Sequence, residues 1–218
     1  MNQRPDTAER AALTPRVVVE AALALADAEG LAAVTIRRLA KDLGVTPMAL
    51  YWHFRNKDQL LDGMVERICE KIDLTADPSR PWAAQLRALL ASMLGVLRSH
   101  PATAPLFSTH STASEANLRM TEVLLDILRR GGFSPAEATQ VARHALTTLT
   151  GLVGAVPGTT TPDDERARQL LESLPPEQYP RLVEAAGPLS VCEDPDGYFA
   201  FGLDLLLAGI EAMARRDR

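Results

Sequence analysis

The sequence predicts an all-α protein, and three observations carry that prediction. Alanine and leucine dominate an apolar fraction of 46%, while aromatic residues make up only 5%, a composition that favours helices over sheets. Apolar residues recur at three- and four-residue spacing along most of the chain, and no segment of useful length alternates with the period of a strand. Glycine and proline stand at the breaks between these amphipathic runs, as at Gly30, Gly44, Pro78, Pro81 and Gly131-Gly132. A chain of 218 residues can bury a sizeable core, as one large domain or two smaller ones.

The first element is a polar tail of mixed charge, residues 1–14, without the apolar core of a signal peptide. Thr14-Pro15 then opens a helix to about Glu29, with Val18, Ala21, Ala22 and Leu25 along one side and Gly30 as its stop. Thr35 can cap a second helix whose Ile36, Leu39, Ala40 and Leu43 recur at helical spacing. Gly44 stands where a helix ends in a left-handed residue, and Thr46-Pro47 starts a new helix at once. The small Ala40 lets these two short helices cross closely, as a helix-turn-helix requires. Residues 15–56 therefore read as a three-helix DNA-binding module.

A fourth helix begins at Asn56 and runs to about Ile72, with Leu60, Leu61, Met64, Val65, Ile68 and Ile72 as its apolar stripe. It serves as a connecting helix over 57–76, and Asp77-Pro78-Ser79-Arg80-Pro81 is the break before a helical body, residues 77–218. The body reads as helices at about 82–99, 102–108, 114–130, 134–156 and 195–215. Ser114 and Ser134-Pro135 are the start signals, and Gly131-Gly132 is a stop. Residues 157–194 hold most of the later proline and glycine and read as a loop-rich insertion with about two short helices.

A net charge of −5 is unusual for a DNA-binding chain until it is divided. Residues 1–60 hold eight Lys/Arg against seven Asp/Glu, whereas residues 61–218 hold fifteen against twenty-one. Positive charge for phosphates is thus confined to the N-terminal module, and the acidic remainder stays off DNA. No run of about 18 apolar residues occurs, so no membrane span is expected.

Leu50-Tyr51-Trp52-His53-Phe54, followed by Asn56-Lys57 and Leu60-Leu61, resembles the signature of the tetracycline-repressor (TetR) family of transcriptional regulators. The Tyr-Trp-His form is closest to the branch containing the tetracycline repressors themselves. The motif match covers roughly residues 15–65, and the remainder resembles the family in length and helical character. The resemblance implies a homodimeric, sequence-specific regulator of double-stranded DNA, a repressor released from a palindromic operator by a small molecule.

Recognition helices place their N-terminal residues over base edges, which here are Thr46, Pro47, Met48 and Ala49. Thr46 can hydrogen-bond a base or a phosphate, or act as an N-cap alone; Pro47 and Ala49 can make only apolar contact, for instance with thymine methyls. The tetracycline repressors carry a more polar stretch here, so their operator sequence does not transfer. Thr35 and Arg37 open the preceding helix; by resemblance Arg37 reaches a base, and arginine is the usual bidentate partner of guanine. Arg38, one residue further round, faces solvent or phosphate. By resemblance Tyr51 and His53 contact phosphates. Trp52 either covers the module core or reaches a phosphate through its indole N–H. Lys57 adds an ammonium to the anion-favouring first turn of the fourth helix, and Leu50 and Phe54 belong to the core.

Half-site geometry calls for a dimer, with half-sites about one helical turn (roughly 34–36 Å) apart. The helices at 134–156 and 195–215 are candidates for a four-helix interface, with Gly151, Gly154, Gly202 and Gly209 allowing close approach. Leu203, Leu206, Leu207 and Ile210 supply apolar area to that interface or to the chain's own core. The resemblance also implies an effector pocket, for which Trp82, Met93, Leu97, His100, Phe107, His110, His144, Thr148 and Tyr179 are the lining candidates. The family's tetracycline–magnesium site has no matching motif here, and the apolar early body suits a hydrophobic or amphipathic effector.

The histidines His53, His100, His110 and His144 form no His-x-x-x-His pair, and Cys69 and Cys192 have neither metal-ligand nor redox spacing. No Gly-x-Ser-x-Gly elbow or phosphate-cradling Gly-x-x-x-x-Gly-Lys loop is present. The expectation is a cytoplasmic regulator with no cofactor, no metal and no catalytic role. The alternative from another class is a dimeric helical ligand-binding protein without DNA function.

Overall fold

The computed structural model describes residues 13–75, 77–109, 114–155, 162–192 and 194–216. The first twelve residues of the tail expected over 1–14, His110 and the start of the 157–194 segment therefore lie outside the described residues. Among the described residues every regular element is helical. They form two compact units, one from the described residues up to Lys71 and those within 99–119, and the other from those within 72–98 and from Met120 onward.

The first unit opens with α1 (Pro15–Glu29), capped by Thr14 Oγ1, which accepts the Val17 N–H at 3.3 Å. Gly30 ends it at φ +84°, where a side chain would be strained. Helix α2 (Ile36–Asp42) is capped by Thr35 and leads into α3 (Pro47–Tyr51). Between them the Gly44 N–H donates to the Lys41 carbonyl at 3.1 Å and the Val45 N–H to the Ala40 carbonyl at 2.9 Å. Those are the two bonds of a Schellman motif, and Gly44 supplies its left-handed residue at φ +66°. Helix α4 (Lys57–Lys71) packs on α1 through Leu60, Met64, Val65 and Ile68, all fully buried.

The described residues within 99–119 also pack in this unit. The continuous helix expected over 102–108 is instead a 3₁₀ turn at Pro101–Thr103 followed by the short α6 (Leu106–Thr109). Pro105 lies between them, and proline lacks the N–H that a continuing helix needs. The turn lies on α1, and α6 on α4.

The second unit is built on α5 (Trp82–Ser99), whose Leu86, Leu90, Met93 and Leu97 are buried. Helix α7 (Glu115–Arg130) begins at the Ser114 cap in the first unit and ends in a second Schellman motif. Gly132 takes the left-handed position at φ +98°. Gly131 serves differently: a Cβ there would lie 2.9 Å from the Trp82 ring. Helix α8 (Pro135–Ala155) starts with a reciprocal capping box, in which the Ser134 N–H donates to Glu137 Oε2 at 2.8 Å and the Glu137 N–H to Ser134 Oγ at 3.3 Å. Where a loop-rich insertion with two short helices was expected there are three helices, α9 (Pro162–Glu172), α10 (Pro180–Glu184) and α11 (Ala186–Ser190), packed on one another. Prolines at the first position of α9 and α10 start these helices rather than breaking them.

The last helix, α12 (Pro195–Arg216), packs against α8 and divides its apolar residues between the chain's own core and its outer face. Leu203, Leu207 and Ile210 are buried within the chain, and a Cβ on Gly202 would lie 2.6 Å from Leu152, so that glycine serves α8–α12 packing. The outward residues are Phe201 (68% exposed), Leu205 (65%) and Met213 (45%), beside open positions at Gly151, Gly154 and Gly209. By length and composition α12 also reaches the mean hydropathy, 1.4, of a membrane-crossing helix, contrary to the sequence expectation. Yet Asp204 lies within it and pairs with Arg87 at 2.6 Å, as a helix packed into a bundle allows.

Candidate DNA interface

Helix α3 is only five residues long, so its position depends on what holds its two ends. Leu50 is fully buried and Phe54 nearly so, which pins the C-terminal end to the module core. At the N-terminal end Thr46 Oγ1 accepts the Ala49 N–H at 3.3 Å. The hydroxyl caps the helix, and its own proton remains available to a DNA acceptor. With the inner side fixed, Pro47, Met48, Tyr51 and Trp52 project outward, Met48 at 65% exposure and Trp52 at 84%. Trp52 therefore does not cover the module core. His53 is exposed in the turn that follows, and Ala49 is half-buried.

The adjacent arginines of α2 have different fates. Thr35 Oγ1 accepts the Arg38 N–H at 3.1 Å and caps the helix. The Arg38 guanidinium is bound by Glu29 at the end of α1, at 2.6 Å, and by Asp42 of α2, at 2.8 Å. These hydrogen bonds, to Glu29 first and then Asp42, raise the guanidinium's affinity for its proton, and the same bond lowers the Glu29 carboxyl. Arg38 thus fastens α2 to α1, which corrects the reading that placed it on solvent or phosphate. Arg37, about 100° round the helix, is exposed and has no partner among the described residues.

At the start of α4 the Asn56 side chain accepts the Gln59 N–H at 2.9 Å, and Gln59 in turn accepts the Arg55 N–H at 2.8 Å. This reciprocal cap fixes the first turn and leaves Lys57 exposed on it. The surface of this unit thus combines an apolar projection at Met48 and Trp52 with cations at Arg37 and Lys57.

The effector-lining candidates have varied surroundings. Met93 and Leu97 are buried in α5, while Trp82 is half-buried, edge-on to Phe133 with ring centres 6.0 Å apart. Thr148 is half-buried on α8, and Tyr179 is exposed. His144 lines an apolar groove of about 490 Å³ between α8 and α12, together with Leu205, Gly209 and Met213. His100 and Phe107 belong to the first unit, where both nitrogens of the His100 ring have partners.

Residues 18–64 match the family model of bacterial regulatory proteins of the tetR family, and residues 75–214 match that of the tetracycline repressor-like C-terminal domain. The chain belongs to the TetR family. It is a ligand-responsive, DNA-binding transcriptional repressor that acts as a dimer on double-stranded DNA. Among its TetR relatives is the class A tetracycline repressor from transposon 1721 in Escherichia coli, 33% identical over 91% of this chain and 90% of the relative. ActR of Streptomyces coelicolor, solved in complex with actinorhodin, superposes with a TM-score of 0.80 at 29% identity, covering 94% of this chain and 99% of ActR. BioQ with its natural double-stranded DNA operator superposes with a TM-score of 0.62 at 29% identity, covering 92% of this chain and 99% of BioQ.

Proposed function

We propose that Thr46, Pro47, Met48 and Ala49 meet base edges in the major groove and that Arg37 reads a guanine beside them. Tyr51, Trp52, His53 and Lys57 hold the phosphates, and Thr35 positions Arg37 through its cap. The observation that carries this reading is the pairing of a pinned inner side of α3, at Leu50 and Phe54, with an outer side on which Met48 and Trp52 are largely exposed. Apolar Pro47, Met48 and Ala49 favour thymine methyls over polar base edges, so the operator half-site combines thymines with a guanine. Operator binding also requires access to the chromosome, which locates the protein in the cytoplasm.

We further infer that the effector is an aromatic, amphipathic small molecule of the polycyclic kind that actinorhodin represents. The similarity to ActR over nearly the whole chain supports this, as do the apolar α5 residues. Of the lining candidates, Trp82, Met93, Leu97, Thr148 and Tyr179 remain assigned to the effector. The two chains of the dimer meet through the outer faces of α8 and α12.

The deciding experiment is selection of bound duplexes from a random pool by the purified protein, followed by sequencing. A palindrome with half-sites about one turn apart is expected, and addition of actinorhodin-like aromatics should release it. Absence of any enriched sequence would remove the DNA reading and leave a dimeric ligand-binding protein.

A further inference from the structure

A chain of charged groups joins α1 to α4, and His100 is its neutral member. Glu20 and Asp27 lie two turns apart on α1; Arg67 and Lys71 lie one turn apart on α4. The Arg67 guanidinium is hydrogen-bonded to Glu20 and to Glu70, the latter at 2.8 Å. The Lys71 ammonium stands 3.7 Å from the second Glu20 oxygen and 3.0 Å from His100 Nε2. His100 Nδ1 stands 2.7 Å from Asp27 Oδ2. One imidazole thus meets α1 on one nitrogen and the last residue of α4 on the other, and it comes from neither helix.

Elementary hydrogen-bond chemistry fixes the state of that ring. An ammonium has three donors and no acceptor, so Nε2 must offer Lys71 a lone pair. The ring proton then lies on Nδ1, which donates to the Asp27 carboxylate. An imidazolium would carry a proton on both nitrogens and set an N–H against the ammonium. Lys71 has an alternative partner close by in Glu20. Protonation therefore keeps the Asp27 link, turns Lys71 towards Glu20 and cuts the link to α4.

The consequence lies in what His100 leads into. The 3₁₀ turn at 101–103 follows directly and packs on α1, with Thr103 Oγ1 donating to the His100 carbonyl at 2.6 Å. We propose that His100 is a positioning residue for operator binding. Uncharged, it ties the end of α4 to α1 and to the segment entering α6; protonated, it releases α4. The groups that face it are Asp27 from α1 and Lys71 from α4, with Glu20, Arg67 and Glu70 behind them.

The inference rests on the operator-binding reading, and its test uses the full-length protein with two independent readouts. Ring ¹⁵N spectra of histidine-labelled protein at about pH 8 should show the Nδ1–H tautomer for the signal that His100→Gln removes. An Nε2–H tautomer or a charged ring would overturn the assignment. Affinity for the selected duplex is then measured at fixed ionic strength from about pH 8 to about pH 5.5, the span in which imidazoles titrate. His100→Gln keeps a donor and an acceptor but cannot be protonated, so the wild type should lose about tenfold more affinity on acidification than this variant. His53 is present in both proteins and cancels in the comparison. Lys71→Gln, which removes the ammonium facing the ring, should abolish the difference and carries the test if His100→Gln does not fold. Parallel pH profiles in all three proteins would refute the proposal. Failure of the wild type to select any duplex would refute the operator role, while the ring spectrum still reports whether the pin exists.

Discussion

Leu205→Ala tests the dimer face most directly, because the structure sets the size of its effect. Leu205 is 65% exposed within the chain, so about two-thirds of its side chain has yet to leave water. Full burial of a leucine contributes about 1.5–3 kcal/mol, which leaves about 1–2 kcal/mol for a partner to capture. A two-fold interface contains the residue twice, so the dimer should lose about 2–4 kcal/mol, or roughly 30- to 1,000-fold in dissociation constant. Sedimentation velocity across a dilution series reads that shift. Operator affinity at low protein concentration should fall with it, since one module alone contacts few base pairs. The folded monomer should change little, because most of the removed side chain is exposed within the chain. Leu205→Lys should act in the same direction more strongly, through an unpaired ammonium in an apolar contact. A dissociation constant unchanged within about twofold for both variants would refute the assignment of this face, since two leucine side chains leaving water in the interface cannot have so small an effect.

Three further outcomes are expected. Lys57→Ala should weaken specific and nonspecific DNA alike and flatten the log–log salt dependence by about one unit per half-site, whereas Arg37→Ala should relax preference at one base position; binding titrations over a salt series on matched and scrambled duplexes separate the two. Glu20 is held below the ordinary carboxylate range by its hydrogen bond to Arg67. Its contribution to stability is therefore present above the unfolded-state value and lost as pH falls through the folded one, so Glu20→Gln should lower the thermal-denaturation midpoint near neutrality and flatten the acid limb, the two proteins converging at low pH. Burial pushes the Cys69 thiol up to about 12, while Cys192 is half-buried; an aromatic disulfide reagent at mildly alkaline pH should titrate one thiol per native chain and two after denaturation.

The helix-turn-helix is legible in the sequence because its signals are local. Thr35, Gly44, Thr46 and Pro47 each satisfy a backbone requirement within a few residues of their own position, and the structure uses each in that way. The same holds for Ser134, whose partner Glu137 completes a capping box three residues on. What cannot be read depends on partners distant in sequence. Arg38 pairs with Asp42 four residues on, but what fastens it to α1 is Glu29, nine residues away on another helix. His100 reads as a pocket residue in the sequence because Asp27, its partner, lies 73 positions earlier. On α12 two apolar stripes overlap in sequence, and only the position of α8 decides which of them is inside. The spacing of Phe201, Leu205, Gly209 and Met213 at four-residue intervals is a usable signal for the outer stripe.

The two exposed apolar features follow from one physical principle and differ in their chemistry. Large apolar side chains left in water mark contact surfaces, and both Met48–Trp52 on α3 and Phe201–Leu205 on α12 meet that description. In its own unit the α3 projection is accompanied by Arg37 and Lys57, to which no carboxylate among the described residues is bound, so a partner there must tolerate methyl contact and supply negative charge. A DNA major groove offers thymine methyls within a frame of phosphates. The α12 stripe continues into a groove whose polar lining is Gln140 and His144, with no arginine or lysine among its described lining residues. Such a surface gives nothing to a phosphate and suits a second apolar helix pair. The surface that repeats itself across a two-fold axis is therefore the one on α12, and the surface on α3 is the one that the axis duplicates for a palindrome.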